Sequence, residues 1–325
     1  MQLTPRPRRL CRLLIAACLA IPLTLAAYPS TAPARPPSDS FERLVDVGGH
    51  RLYVKCMGRG GPTVILEAAA GAHSGTWSRV QPELARFTTV CSYDRAGLGR
   101  SEPGPRPRTS QTVVDELRAL LSNAGIRGPY VLVGHSLGGF HLQLFARQDG
   151  GRRVTGVVLV DATPIGFPAT LAGFGQPFPG PERFPEGIDI RASVQQIEAA
   201  PAFPNVPLSV LARTIYPPGT PAELKQAWDE QQAAQSRLSC RGELVVVEGA
   251  GHFIHLDRPE VVIAAIERVV EAAGRTRARR LHPNGKPSPG EPRGGARSGK
   301  WRKCPGEARA SSKKPRRASG ARQRR

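Results

Sequence analysis

The run Gly134-His135-Ser136-Leu137-Gly138 constrains this chain more than any other. It follows the apolar, strand-like Tyr130–Val133 and leads into Leu137–Arg147, which reads as a helix. G-x-S-x-G alone is a weak signal in a chain with 35 glycines. Between a strand and a helix it marks a sharp turn that exposes the serine hydroxyl above a sheet edge. Gly134 and Gly138 remove Cβ atoms that would collide with the neighbouring strand and helix, and Gly139 lets the helix pack closely. The turn also sets the N–H of Leu137 at a helix N-terminus, where negative charge is favoured. Ser136 is therefore the candidate nucleophile.

The surrounding order agrees with such a turn. Strand-like runs occur at Arg51–Cys56, Thr63–Leu66, Phe87–Tyr93, Val154–Val160, Leu208–Ala212 and Leu244–Val247. Helical patterns lie between them at Gln111–Asn123, Leu137–Arg147 and Pro221–Leu238, and a last one carries Val262, Ile266, Val269 and Val270. Alternating strands and helices predict an α/β fold with a mainly parallel sheet covered on both faces. Unbroken apolar strands such as Val157-Val158-Leu159-Val160 fit burial on both sides. One long irregular stretch, 164–206, holds five of the ten phenylalanines and one helical pattern around Ile190–Ala199. A connection of that length in a compact domain is usually functional, and it reads as a lid.

The ends differ from the body. The net charge of +20 resides in residues 1–12 and 274–325, leaving 13–273 neutral. A basic balance suggests nucleic acid, but here it would concern only the tail, and no specific nucleic-acid binding is expected. Arg6–Arg12, the apolar Leu13–Ala27 and Ala32-Pro33-Ala34 read as an export signal over 1–34. The Arg-, Gly-, Pro- and Ser-rich tail, 274–325, cannot bury a core and is expected to be disordered. It is either a weak adhesive for anionic polymer or lipid or a dispensable extension. The folded domain is expected at 35–273, and export makes the protein secreted or extracytoplasmic.

A serine needs a base. Gly249-Ala250-Gly251-His252 follows the strand Leu244–Val247, so His252 falls on a loop at a strand's C-terminal end, where ligands gather in open α/β sheets. His255 is the competitor and reads as a packing residue. Asp257 and Glu260 fit an N-cap and its partner for the last helix.

Three segments together carry a resemblance: Tyr93-Asp94-Arg95-Ala96-Gly97-Leu98-Gly99-Arg100-Ser101, Gly134–Gly139 and Gly249–Glu260. Over residues 41–273 the chain resembles the α/β-hydrolase superfamily, in its lipase/esterase-like branch. The resemblance implies an α/β-hydrolase fold, a short lid between the sixth and seventh strands, and hydrolysis of a small-molecule ester through an acyl-enzyme without cofactor or metal. It makes Asp94 and Arg95 structural and puts the oxyanion donors at the N–H groups of Leu137 and of a residue in 68–70, with Ala69 chosen.

Two departures follow. Glu67 stands where the family usually has histidine, which suggests a buried, paired carboxylate. After the seventh strand, Arg213–Thr220 contains no carboxylate, so Asp161 at the end of the sixth strand becomes the candidate acid, against a reading in which it only caps the lid's first turn. The implied strand neighbourhood also brings Cys56 beside Cys91, either as a disulfide or as two core thiols, with Cys240 left as a free buried thiol. The expected function is cleavage of a small or medium apolar carboxylic ester. The rivals are another Ser-dependent acyl or C–C bond hydrolysis and a non-catalytic binding protein.

Overall fold

The computed structural model describes residues 40–176 and 178–281, with side chains to 275. The expected export signal, and the basic extension from 282 onward, lie outside them.

In chain order the strands are β1 (Phe41–Asp46), β2 (Arg51–Met57), β3 (Thr63–Glu67), β4 (Val90–Tyr93), β5 (Tyr130–His135), β6 (Val154–Val160), β7 (Leu208–Arg213) and β8 (Gly242–Val247). The helices are α1 (Gln81–Leu84), α2 (Ser110–Asn123), α3 (Leu137–Asp149), α4 (Phe167–Gly173), α5 (Ile190–Glu198), α6 (Ala222–Ser236), α7 (Ile254–Asp257) and α8 (Pro259–Leu281). The eight strands form one sheet in the order β1-β2-β4-β3-β5-β6-β7-β8. β2 runs antiparallel to β1 and β4, and every other pairing is parallel. This is the α/β-hydrolase fold.

Alternation along the strands feeds two cores. Ile65, Leu132, Val157, Leu159 and Val210 meet Leu117 and Leu120 of α2 and Phe140 and Leu144 of α3. Their neighbours Val64, Leu66, Val131, Val133, Val158 and Val160 meet Leu84 of α1 and Val262, Ile266 and Val269 of α8 on the opposite face. Two covered faces explain why these strands are apolar without interruption. Each such side chain contributes roughly 1.5–3 kcal/mol by leaving water.

Several expectations need correction. β1 was not foreseen, because this outer strand carries Glu42, Arg43 and Asp46 and buries mainly Val45. β4 begins at Val90, not Phe87, because the turn after α1 occupies 85–89 and leaves Phe87 exposed. Asp257 is not an N-cap. It lies at the end of α7 and accepts the Gly251 N–H at 2.9 Å, bracing the loop that carries His252. α8 runs to Leu281, past the expected domain end at 273. Between β6 and β7 there are two helices, α4 and α5, where one was expected.

Cys56 and Cys91 face each other across β2 and β4 and are joined by a disulfide, with a Cα–Cα distance of 4.1 Å. Cys240 is not a free buried thiol: it is half-exposed at the corner between α6 and β8 and is itself a disulfide cysteine.

Candidate active site

The parallel strands β5, β6 and β7 end side by side, and the chemistry gathers at those ends. Ser136 follows β5 with φ 52° and ψ −120°. A left-handed φ costs a non-glycine residue of order 1–3 kcal/mol and persists only where the surroundings hold it. The Ser136 N–H donates to Val160 O at 3.2 Å, and Ser136 O accepts from Gly139 and Thr163 at 3.1 Å each. A Cβ on Gly138 would lie 2.6 Å from the backbone oxygens of Glu67 and Ala68, so only glycine lets α3 reach the loop after β3.

His252 arrives from β8 on a loop that Gly249 turns at φ 72°. Ala250 O accepts from the N–H groups of Thr214 and Ile215 at 3.1 and 2.9 Å, tying that loop to the exit of β7. The His252 carbonyl accepts from His135 Nε2 at 2.8 Å. With these restraints His252 Nε2 stands 3.0 Å from Ser136 Oγ, and His252 Nδ1 stands 2.5 Å from Asp161 Oδ2. The carboxylate accepts from Nδ1–H, which leaves Nε2 to accept from the serine hydroxyl.

Asp161 directly follows β6, is fully buried, and also has a left-handed φ of 41°. Its Oδ1 accepts from Trp228 Nε1 at 3.0 Å and from the Arg213 N–H at 3.4 Å. The Arg213 guanidinium lies 3.5 Å from Oδ2 and is flanked by Trp228 and Tyr216, each ring centroid 4.5 Å away. Neither partner was foreseen. Arg213 does stand where the family's usual acid is missing, and that is the one hint the sequence holds. The alternative carboxylates are engaged elsewhere or face solvent: Asp229 accepts from the Tyr216 hydroxyl, and Glu223 is exposed in the first turn of α6.

Ala69 and Leu137 lie on the two segments that Gly138 brings together. Leu137 opens α3, and Ala69 is buried just after β3. Below them Glu67 is fully buried 3.5 Å from Arg95, and burial pushes its carboxyl up to about 8. His255 packs, with its ring tilted, between Trp77 and His135, with centroids 4.5 Å away on each side. Burial pushes His255 down to about 4 and holds His135 well below the usual histidine range. A cavity of about 320 Å³ opens at the opposite end of the sheet, lined by Pro129, Arg152, Arg153 and Arg241 among others, and takes no part in this constellation.

Fold and site together define an α/β hydrolase. The chain belongs to the alpha/beta hydrolase family, whose model matches residues 58–265. Among curated proteins it is 28% identical over 302 residues to the "Probable transporter efuK" of Hormonema carpetanum, covering 72% of this chain and 43% of that protein. It is 29% identical over 222 residues to the uncharacterised YqjL of Bacillus subtilis, covering 66% of this chain and 86% of that one. The chain thus spans under half the length of the fungal relative. Among solved structures it is similar to an esterase from Thermogutta terrifontis, with a TM-score of 0.52, 22% identity, and coverage of 74% of this chain and 99% of that one. It is also similar to the enol-lactonase of Burkholderia xenovorans, with a TM-score of 0.51, 19% identity and coverage of 69% and 98%. These likenesses concern the fold.

Proposed function

We propose that this chain is an exported serine hydrolase that cleaves a small or medium apolar carboxylic ester through an acyl-enzyme. One observation carries the reading: a continuous hydrogen-bonded line from Ser136 Oγ through both ring nitrogens of His252 to the buried carboxylate of Asp161. In this reading Ser136 attacks the ester carbonyl while His252 takes its proton. Asp161 keeps the proton on Nδ1 and stabilises the imidazolium. The N–H groups of Leu137 and Ala69 bind the oxyanion. His252 returns its proton to the departing alcohol, and water then enters by the reverse sequence.

The preference for an apolar ester rests on the aromatic side chains beside the base. Trp228 packs edge-on against His252 and against Phe167, with centroids 6.2 and 4.6 Å away, and Phe253 is exposed next to His252. The test is turnover of 4-nitrophenyl butyrate together with labelling by a fluorophosphonate. Ser136→Ala is expected to stay folded, to lose labelling, and to lose at least about 10⁴-fold in kcat. A folded Ser136→Ala protein that keeps most of its turnover overturns the proposal. Export is checked by the N-terminus of the protein recovered outside the cytoplasm, expected between residues 28 and 35.

A further inference from the structure

The loop leaving β3 reads Ala68-Ala69-Ala70-Gly71, so it has no side chain larger than a methyl with which to fix its own shape. Two buried charges fix it instead. Arg95, on the turn after β4, donates from Nη1 to Ala68 O and from Nη2 to Ala69 O, both at 2.6 Å. The same Nη2 donates to Glu186 Oε1 at 2.7 Å, and Glu186 Oε2 accepts the Gly71 N–H at 3.1 Å. The side chains of Arg95 and Glu186 are 2% and 0% exposed. Glu186 belongs to the connection between β6 and β7, 91 residues further along the chain.

A trans peptide is planar, and its C=O and N–H point in opposite directions. Pinning the Ala68 carbonyl therefore fixes the direction of the Ala69 N–H in the same peptide unit. Arg95 carries a full charge in a buried site, and its second carboxylate neighbour, Glu67, retains a proton near neutral pH. The charge of Glu186 is then what holds the guanidinium in place.

We infer that Glu186 is a positioning residue for the oxyanion site: through Arg95 it aims the Ala69 N–H, so the site is competent only while the β6–β7 connection is seated. This rests on the reading of Ala69 as an oxyanion donor. No proton or bond changes hands at Glu186. A misdirected donor weakens stabilisation of the tetrahedral intermediate and leaves ground-state binding unaffected.

The test uses the full chain carrying Glu186→Gln. Its kcat and KM for 4-nitrophenyl butyrate are measured per site titrated with a fluorophosphonate, beside the Ki of an alkyl trifluoromethyl ketone. The expected result is a fall in kcat of roughly 10–100-fold per titrated site, KM within about twofold, and a parallel loss of ketone affinity. Arg95→Lys keeps a cation but cannot span both carbonyls, so it is expected to show the same pattern, and it carries the test if the glutamine variant does not fold. Wild-type kcat per titrated site in the folded variants overturns the inference, as does a loss that only follows the number of titratable sites. Ser136→Ala, run in parallel, separates the two levels. An active Ser136→Ala sinks the underlying reading and this inference with it, whereas an inactive one beside a fully active Glu186→Gln sinks this inference alone.

Discussion

Asp161 accepts from three N–H groups and lies 3.5 Å from the Arg213 guanidinium, all inside a fully buried site. Its left-handed φ turns the chain out of β6, and two residues on the Thr163 N–H donates to Ser136 O at 3.1 Å. Replacing it by Asn keeps the shape but makes one end of the group a donor, which His252 Nδ1–H cannot use. The imidazole is then driven to the wrong tautomer. Asp161→Asn is expected to lower kcat roughly 10³–10⁴-fold with little change in KM, read by steady-state kinetics. Equal turnover in the variant would remove Asp161 from the proposed triad. The sequence led to this residue by elimination at the end of β7. It could not show Trp228 or Arg213 as partners, because those contacts join residues 67 and 52 apart and follow no local period.

The elements were legible wherever burial is symmetric. β3, β5 and β6 each hold an unbroken apolar run, Val64–Leu66, Tyr130–Val133 and Val157–Val160, because both faces are covered, and the pattern declares itself. β1 has no such signal, since three of its six residues are charged and it buries little besides Val45. The fold placed Cys56 opposite Cys91, but whether two neighbouring thiols are oxidised does not show in any sequence period. Here the bond ties the antiparallel β2 to the parallel part of the sheet, across 35 residues of chain. A link of this kind contributes about 2–4 kcal/mol, chiefly by restricting the unfolded chain. The double substitution Cys56→Ala/Cys91→Ala is expected to lower the Tm by roughly 5–15 °C. Ester turnover at 25 °C should persist, because neither cysteine lies at the strand ends that carry Ser136 and His252. An unchanged Tm in calorimetry would show that the bond contributes nothing to stability.

The described residues include two opposed sets of buried titratable groups, and their balance shapes the response of the fold to pH. His135 and His141 lie well below the histidine value and His255 near 4, in each case through burial. In the unfolded chain these rings take up protons below about pH 6.5, which the folded state refuses, so stability falls as pH drops from there toward 4. Glu67 works in the other direction. Its folded value of about 8 exceeds the ordinary 4.5, so the folded state holds a proton that the unfolded chain has already lost. That group removes stability as pH rises through the window from 4.5 to 8 and adds no further slope above it. Where the windows overlap, three rings oppose one carboxyl and stability still climbs with pH; above about 6.5, of these four groups, Glu67 alone still titrates. The unfolding free energy is therefore expected to peak near pH 6.5–7, each unbalanced proton giving a slope of about 1.4 kcal/mol per pH unit. Glu67→Gln should abolish the decline between about pH 7 and 8 and steepen the acid limb between about pH 4.5 and 6.5, where the carboxyl no longer opposes the rings. His255→Phe, packed on Trp77 in place of the imidazole, should make the acid limb shallower, since His135 and His141 remain, and leave the alkaline side alone. Urea unfolding at a series of pH values measures both limbs. A Glu67→Gln curve parallel to the wild type from pH 5 to 9 would mean that Glu67 is ionised in the fold, with Arg95 shared equally between Glu67 and Glu186.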